Sequence, residues 1–182
     1  MKIDKAFITR LQNKDRKTQL VFYKFLSAKM YGVCLRFANS RDDANDILQE
    51  GFIRVFKHIN DFRGEGSFEG WVRRTIVNTA INFYKKEKKR GYRVELDYVK
   101  KKYISGESAI EKISFTELLN IIRELPNGYR TVFNLNVIEG YTHKEIGKIL
   151  NISENTSKSQ LSRAKSSLQK KLLEIKTKEN ID

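Results

Sequence analysis

Residues 41–86 read RDDANDILQEGFIRVFKHINDFRGEGSFEGWVRRTIVNTAINFYKK, and this stretch decides the fold. Ala44, Ile47, Leu48, Gly51, Phe52, Val55, Phe56 and Ile59 recur at three- and four-residue steps, the period of a helix burying one face. Asp42, Asp43, Asp46, Gln49 and Glu50 fall off that stripe, together with one apolar residue, Ile53. Acidic side chains near a helix N-terminus stabilise it by roughly 0.3–1 kcal/mol each. That accounts for Asp42 and Asp43 and only partly for Asp46. Asp46, Gln49, Glu50 and Ile53 continue one face down the helix, so a docking ridge stands beside plain helix electrostatics as a reading of this face.

The second half changes character. Residues 60–66 hold two Gly and an Asn-Asp pair, which favour turns and exclude a helix. Ser67 then supplies an N-cap oxygen. Phe68, Trp71, Val72, Ile76, Thr79, Ala80 and Phe83 make the inward stripe of a new helix, and Arg73, Arg74, Asn78, Asn82, Lys85 and Lys86 its other side. A glycine loop carrying Phe62 and Arg63 beside basic and amide side chains suits nucleic acid, because rings stack on unpaired bases and cations neutralise phosphate. Packing in an ordinary core is the competing role for the rings, more so for Phe68 and Phe83 than for Phe62.

Outward from this stretch, Leu20, Phe22, Tyr23, Phe25, Leu26, Met30, Val33, Cys34 and Phe37 give residues 15–38 more apolar surface than one stripe needs, which predicts a helix at the centre of a bundle. Residues 3–12 predict a short first helix. Residues 90–113 lose periodicity and carry Lys, Ser and Gly, which predicts a flexible linker, with a surface loop within one domain as the alternative. Beyond it, Ser114–Glu117 and Thr142–Glu145 both have capping-box spacing, and Pro126 and Gly140 punctuate the helices. The inward residues of the helices in this second half are Phe115, Leu118, Leu119, Ile122 and Leu125, then Val132, Phe133, Leu135 and Val137, and last Leu161, Ala164, Leu168 and Leu172. A short helix, a tight turn at Asn151-Ile152 and a longer helix capped by Ser153 has helix-turn-helix geometry; an ordinary helical hairpin has the same outline. The long helix presents Glu154, Asn155, Lys158, Ser159, Ser162 and Arg163 from its first turns, side chains able to read base edges or hold phosphate.

The chain has 36 Lys and Arg against 22 Asp and Glu, a net charge of +14. That balance calls for a polyanion, nucleic acid or a membrane surface. No apolar run approaches the roughly 18 residues of a transmembrane helix, and no signal peptide opens the sequence. The single cysteine, Cys34, allows no internal disulfide and fits a reducing cytoplasm. The expected fold class is all-α: two small helical domains, residues 1–89 and 114–182, joined by the linker at 90–113. His58 and His143 form no metal set with Cys34. Gly64-Glu65-Gly66 lacks the rest of any nucleotide-cradling motif, and no nucleophile is paired with a base. The sequence therefore points to no metal, no cofactor, no small-molecule substrate and no catalysis of its own.

The motifs D-I-L-Q-E-G-F, F-R-G-E-G-S-F-E-G-W-V and N-T-A-I, in that order, resemble region two of bacterial RNA polymerase sigma factors, the extracytoplasmic-function group above all. The run from Leu125 to Leu168 resembles region four of the same group, and no region-three domain fits between the two. The resemblance implies that Asp46, Gln49 and Glu50, with Ile53 on their face, bind the β′ clamp helices of core RNA polymerase. It implies that Phe62, Arg63, Trp71, Arg74, Asn78, Asn82 and Lys85 belong to the part that opens and holds the minus-ten element of promoter DNA. Asn78 can equally brace the loop. It implies that region four reads the minus-thirty-five element with Lys158, Ser159, Ser162 and Arg163 and touches the β-flap. An anti-sigma factor is a further implied partner. The sequence departs from the pattern in places. Val72 stands where primary sigma factors have the second of two tryptophans, Ser157 where an apolar residue is usual, and Gln160 where Arg is. Two rivals are a polymerase-independent helix-turn-helix regulator, which has no use for the ridge, and a non-DNA adaptor, which has no use for the helix-turn-helix.

Overall fold

The computed structural model describes residues 3–89 and 115–179, and every regular element among them is helical. In chain order these are α1 (Lys5–Gln12), α2 (Arg16–Phe37), α3 (Arg41–Lys57), α4 (Phe68–Lys89), α5 (Phe115–Arg123), α6 (Asn127–Phe133), α7 (His143–Leu150) and α8 (Glu154–Glu179). A 3-10 turn, Ile59–Asp61, follows α3, and a π-helical turn, Asn134–Ile138, follows α6. The expected linker at 90–113 and the Ser114 capping box lie outside the described residues.

Local chemistry sets the helix starts. Asp4 and Asp15 cap α1 and α2 by accepting from Phe7 N and Thr18 N. Ser40 and Asp43 form a reciprocal capping box at α3, so Asp43 is spent on the helix end and not on the ridge. Ser67 accepts from Gly70 N at the start of α4. Pro126 opens α6, where its missing N–H costs nothing.

The core forms around α2, which packs against α1, α3 and α4 and also against α5 and α6 of the second half. Phe22, Leu26, Met30, Val33 and Cys34 are sealed inside. Helices α3 and α4 cross closely because Gly51 has no side chain: a Cβ there would come within 2.4 Å of Ile76 Cδ1. Burial on α4 is wider than one stripe, taking in Val77 and Ile81, because α2 and α3 cover it from two sides.

The two halves share one apolar cluster, which joins Val132, Leu135, Ile146, Leu150 and Leu161 to the interior of the first half. A set of buried polar groups crosses the seam. In a π turn residues i and i+5 stack over one another, as the bond from Glu139 N to Asn134 O at 3.0 Å records. Asn134 and Glu139 thereby face α2 together. Asn134 Nδ2 donates to Arg36 O at 2.7 Å, and Arg36 Nη2 donates to Glu139 Oε1 at 2.8 Å. Arg73 of α4 closes on the same carboxylate through Nε and Nη2, at 2.9 and 2.8 Å. Arg130 is 3% exposed and donates to Arg123 O, Asn127 Oδ1, Phe37 O and Asn39 Oδ1. Burial pushes its guanidinium down to about 10, still a cation at neutral pH. The seam is incompletely satisfied: Arg36 Nε, Arg130 Nε and Asn134 Oδ1 have no hydrogen-bond partner among the described residues.

Several expectations need correction. Asn60 and Asp61 lie in the 3-10 turn, because a tighter i→i+3 turn tolerates residues that an α-helix does not. Leu20 and Phe25 are exposed at 55% and 44%, so α2 is central without being buried all round. Leu118 and Val137 face outward, at 42% and 50% exposed. The widened π turn rotates Val137 off the apolar stripe that a 3.6-residue period assigns it. Trp71, Phe83, Phe133 and Leu172 are half-buried, at the rims of their stripes and not in the interior.

Candidate docking ridge and nucleic-acid interface

The ridge follows from how α3 is buried. Ala44, Ile47, Leu48, Gly51, Phe52 and Val55 go inward, which turns Asp46, Gln49, Glu50 and Ile53 out on the opposite face. Ile53 is 60% exposed, an apolar residue set in a polar ridge. Glu50 accepts from Arg54 Nε at 2.8 Å, an exposed pair one helical turn apart; such pairs contribute little and exchange readily for another cation. The ridge is not folded into the interior.

The loop from Phe62 to Ser67 is shaped by Gly64 and Gly66, at φ +81° and +75°, a left-handed backbone that glycine adopts without strain. Phe62 packs edge-on against Phe68 at 4.9 Å and lies 5.9 Å from Trp71, while Phe68 and Trp71 stack at 5.8 Å with 12° between their planes. Phe62 is therefore half-buried as one wall of a ring cluster. Beside it a cleft of about 880 Å³ opens between the loop and α1, lined by Phe62, Arg63, Phe68, Phe25 and Ile8 among others. Arg63 stands exposed at its mouth. A cleft with ring walls, free backbone at two glycines and a cation at the rim has the chemistry to hold an unpaired base and its phosphate.

Along α4 the sequence-derived positions fall into one line. Trp71, Arg74, Asn78, Asn82 and Lys85 follow at three- and four-residue steps, hence on one helix face. Arg74, Asn78 and Asn82 are exposed, and Lys85 is half-exposed. Asn78 faces solvent and does not brace the loop. Arg73, grouped with them in the sequence, is instead held by Glu139.

In the second half, Thr142 and Glu145 complete their capping box at α7, and these hydrogen bonds hold the Glu145 carboxyl below its usual range. Asn151 takes the left-handed conformation, φ 53°, at the end of α7. Gly147 lets the turn fold back, since a Cβ there would meet Ile152 O at 2.9 Å. Ser153 caps α8 by accepting from Thr156 N. Glu154, Asn155, Lys158, Ser159, Ser162 and Arg163 are all exposed on α8. Lys158 pairs with Glu154 at 2.7 Å and holds its carboxyl below the usual range. Arg163 Nη1 donates to Tyr129 Oη at 3.1 Å, which fixes its direction across the face. Ser157, polar where an apolar residue is usual, is fully buried with its Oγ 2.9 Å from His143 Nδ1. The departure is thus compensated by a polar pair tying α7 to α8. Gln160 lies over Gly128 of α6 and takes no part in the outer face.

Sequence reasoning missed the seam itself: Arg36, Asn39, Arg73, Arg130, Asn134 and Glu139. A signal was present in Asn127, Arg130 and Asn134, polar residues spaced three and four apart inside an apolar stretch. Among the described residues no group of three or more His, Cys, Asp or Glu side chains can hold a metal, and no helix is long and apolar enough to cross a membrane.

An acidic ridge, an aromatic glycine loop leading into an amide-lined helix, and a helix-turn-helix thus follow one another in that order on helices alone. The family profile for Sigma-70 region 2 matches residues 22–90, and that for Sigma-70, region 4 matches residues 115–168. The chain belongs to the sigma-70 family of RNA polymerase sigma factors, in its extracytoplasmic-function group. It is 28% identical over 186 residues to the ECF RNA polymerase sigma-E factor of Haemophilus influenzae, covering 93% of this chain and 95% of that protein. It is 25% identical over 181 residues to the RNA polymerase sigma-H factor of Pseudomonas aeruginosa, covering 93% of each. Among solved structures, the sigma factor RpoE of Bartonella quintana in complex with the anti-sigma factor NepR has a similar fold, with a TM-score of 0.52, 21% identity, and coverage of 87% of this chain and 97% of that one.

Proposed function

We propose that this sigma factor works through three separate surfaces. Asp46, Gln49, Glu50 and Ile53 dock on the basic clamp helices of the β′ subunit of core RNA polymerase. Phe62, Arg63 and the α4 line of Trp71, Arg74, Asn78, Asn82 and Lys85 open and hold the minus-ten element. Glu154, Asn155, Lys158, Ser159, Ser162 and Arg163 read the minus-thirty-five element in the major groove, while the second half touches the β-flap. Residues 1–89 and 114–182 act as two units joined through 90–113. The protein performs no chemistry of its own, works in the cytoplasm beside the polymerase, and is held in check by an anti-sigma factor.

The observation that carries this reading is the ridge: three polar residues and a 60% exposed isoleucine, continuous along a helix whose other face is buried. A polymerase-independent regulator has no role for it. The cationic remainder of a +14 chain supplies the DNA affinity, which for about six phosphate contacts falls with a slope of about −5 in log affinity against log salt. The test is retention of bacterial core polymerase on the immobilised chain. Asp46→Lys with Glu50→Lys sets like charges against the clamp and is expected to lower retention at least tenfold, since such juxtapositions cost several kcal/mol. Glu174→Lys, a single charge reversal on exposed α8, is expected to leave it unchanged. Equal retention by the ridge variant and the parent contradicts the docking assignment.

A further inference from the structure

The seam between the halves binds a residue that stands next to the DNA-facing line of α4. Arg73 precedes Arg74 in sequence, yet it is drawn aside by two hydrogen bonds to Glu139, whose side chain is only 7% exposed. The same carboxylate holds Arg36 of α2. One acidic side chain of the second half thus clasps two cations of the first, and it reaches them only because the π turn after α6 brings Asn134 and Glu139 to one side.

The clasped arrangement is too short for a promoter. Helix α8 packs on α6, and α6 on α2, which packs directly on α4. With packed helix axes about 8–10 Å apart, the α4 and α8 axes lie roughly 30 Å apart where they pack, and even the full length of α8, about 39 Å at 1.5 Å per residue, adds no more than that to the separation of the two reading faces. Elements named for positions about 25 base pairs apart are separated on the order of 85 Å along duplex DNA. Both cannot be engaged until the seam opens.

We propose that Glu139 is an intramolecular latch: it holds the second half closed on the first in the free protein and, while closed, withholds Arg73 from the DNA backbone. Opening the seam transfers Arg73 from the carboxylate to a phosphate, so the free chain is a weaker DNA binder than the opened one. This rests on the reading of α4 as a DNA-facing helix, whereas the shape measurement below does not.

The test uses the full chain, with small-angle X-ray scattering for shape and fluorescence anisotropy on a labelled duplex for binding. Glu139→Gln keeps the size of the side chain and removes its charge. Its radius of gyration is expected to rise above the parent's, which should lie near the ~16 Å of a compact chain of this length. Its duplex affinity is expected to rise roughly fivefold, with a salt slope steeper by about 0.9, the signature of one added phosphate contact. Arg73→Gln removes one of the two cations from the clasp and leaves Arg36 on Glu139, so it should expand the chain by less than Glu139→Gln while binding DNA no tighter than the parent. Should Glu139→Gln lose helical signal, Arg73→Gln still reports on closure. Unchanged dimensions in the folded variants overturn the latch. Expansion without tighter binding by Glu139→Gln, or tighter binding that survives the added Arg73→Gln, overturns the withholding of Arg73.

Discussion

Cys34 lies at the centre of α2 with no exposed surface, and burial pushes its thiol up to about 12. The folded state therefore favours the neutral thiol. With a folded value raised above the ordinary 9.0 of a thiol, this contribution to stability is fully present below pH 9 and is lost as pH climbs toward about 12. At pH 8, iodoacetamide is expected to leave native Cys34 unmodified over a time that fully labels the urea-unfolded chain. The urea midpoint of the parent should fall more between pH 8.5 and 10.5 than that of Cys34→Ala. Prompt native labelling, or identical declines, would contradict this setting of the thiol. The burial of Cys34 was legible from its place in the apolar set of residues 15–38. So was the exposure of Asp46, Gln49, Glu50 and Ile53, because each follows from a single helical period. The half-buried Phe62 was not, since its partners Phe68 and Trp71 meet it only after two glycines turn the chain back. Nor was the Ser157–His143 pair, whose members are fourteen residues apart.

Helix ends were the most readable elements, because a cap is a contact between residues three apart. The box of Thr142 and Glu145 formed as its spacing implied, and Ser153 caps α8. A further box, Ser40 with Asp43, stands at the head of the ridge helix. Ser40→Ala removes an acceptor from Asp43 N and is expected to cost about 1 kcal/mol, lowering the melting temperature by a few degrees without weakening core polymerase retention. An unchanged melting temperature would show that the box adds nothing to α3. Loss of retention at full stability would mean that Ser40 belongs to the docking surface. The π turn was illegible for a stated reason: the 3.6-residue template places Asn134 and Glu139 on different sides of a helix, whereas the widened turn brings them together. The capping signal at Thr142 fixed the far end of this region, but nothing local announced the extra residue in the turn before it.

At the scale of the molecule, the all-α class and the order of the two halves followed from periodicity and punctuation, while their mutual packing did not. The seam depends on residues about a hundred positions apart, Arg36 with Glu139 and Arg36 with Asn134, and no short-range pattern encodes such pairs. Its energetics are two-sided. Buried Val132 and Leu135 favour closure, while taking the charges of Arg36, Glu139 and Arg130 out of water opposes it. A seam so divided is suited to opening when a larger partner offers better contacts. Three surfaces therefore sit on one chain: an exposed carboxylate ridge, a ring-walled cleft with its amide line, and a helix-turn-helix. The central claim is that they make core polymerase begin at chosen sites. The most direct measurement reconstitutes core polymerase with the chain on fragmented genomic DNA and sequences the 5′ ends of the transcripts. The account predicts new starts preceded by a recurrent pair of elements near minus ten and minus thirty-five, used at least tenfold less by Arg163→Ala while polymerase retention is unchanged. Starts no different from those of core polymerase alone would contradict it.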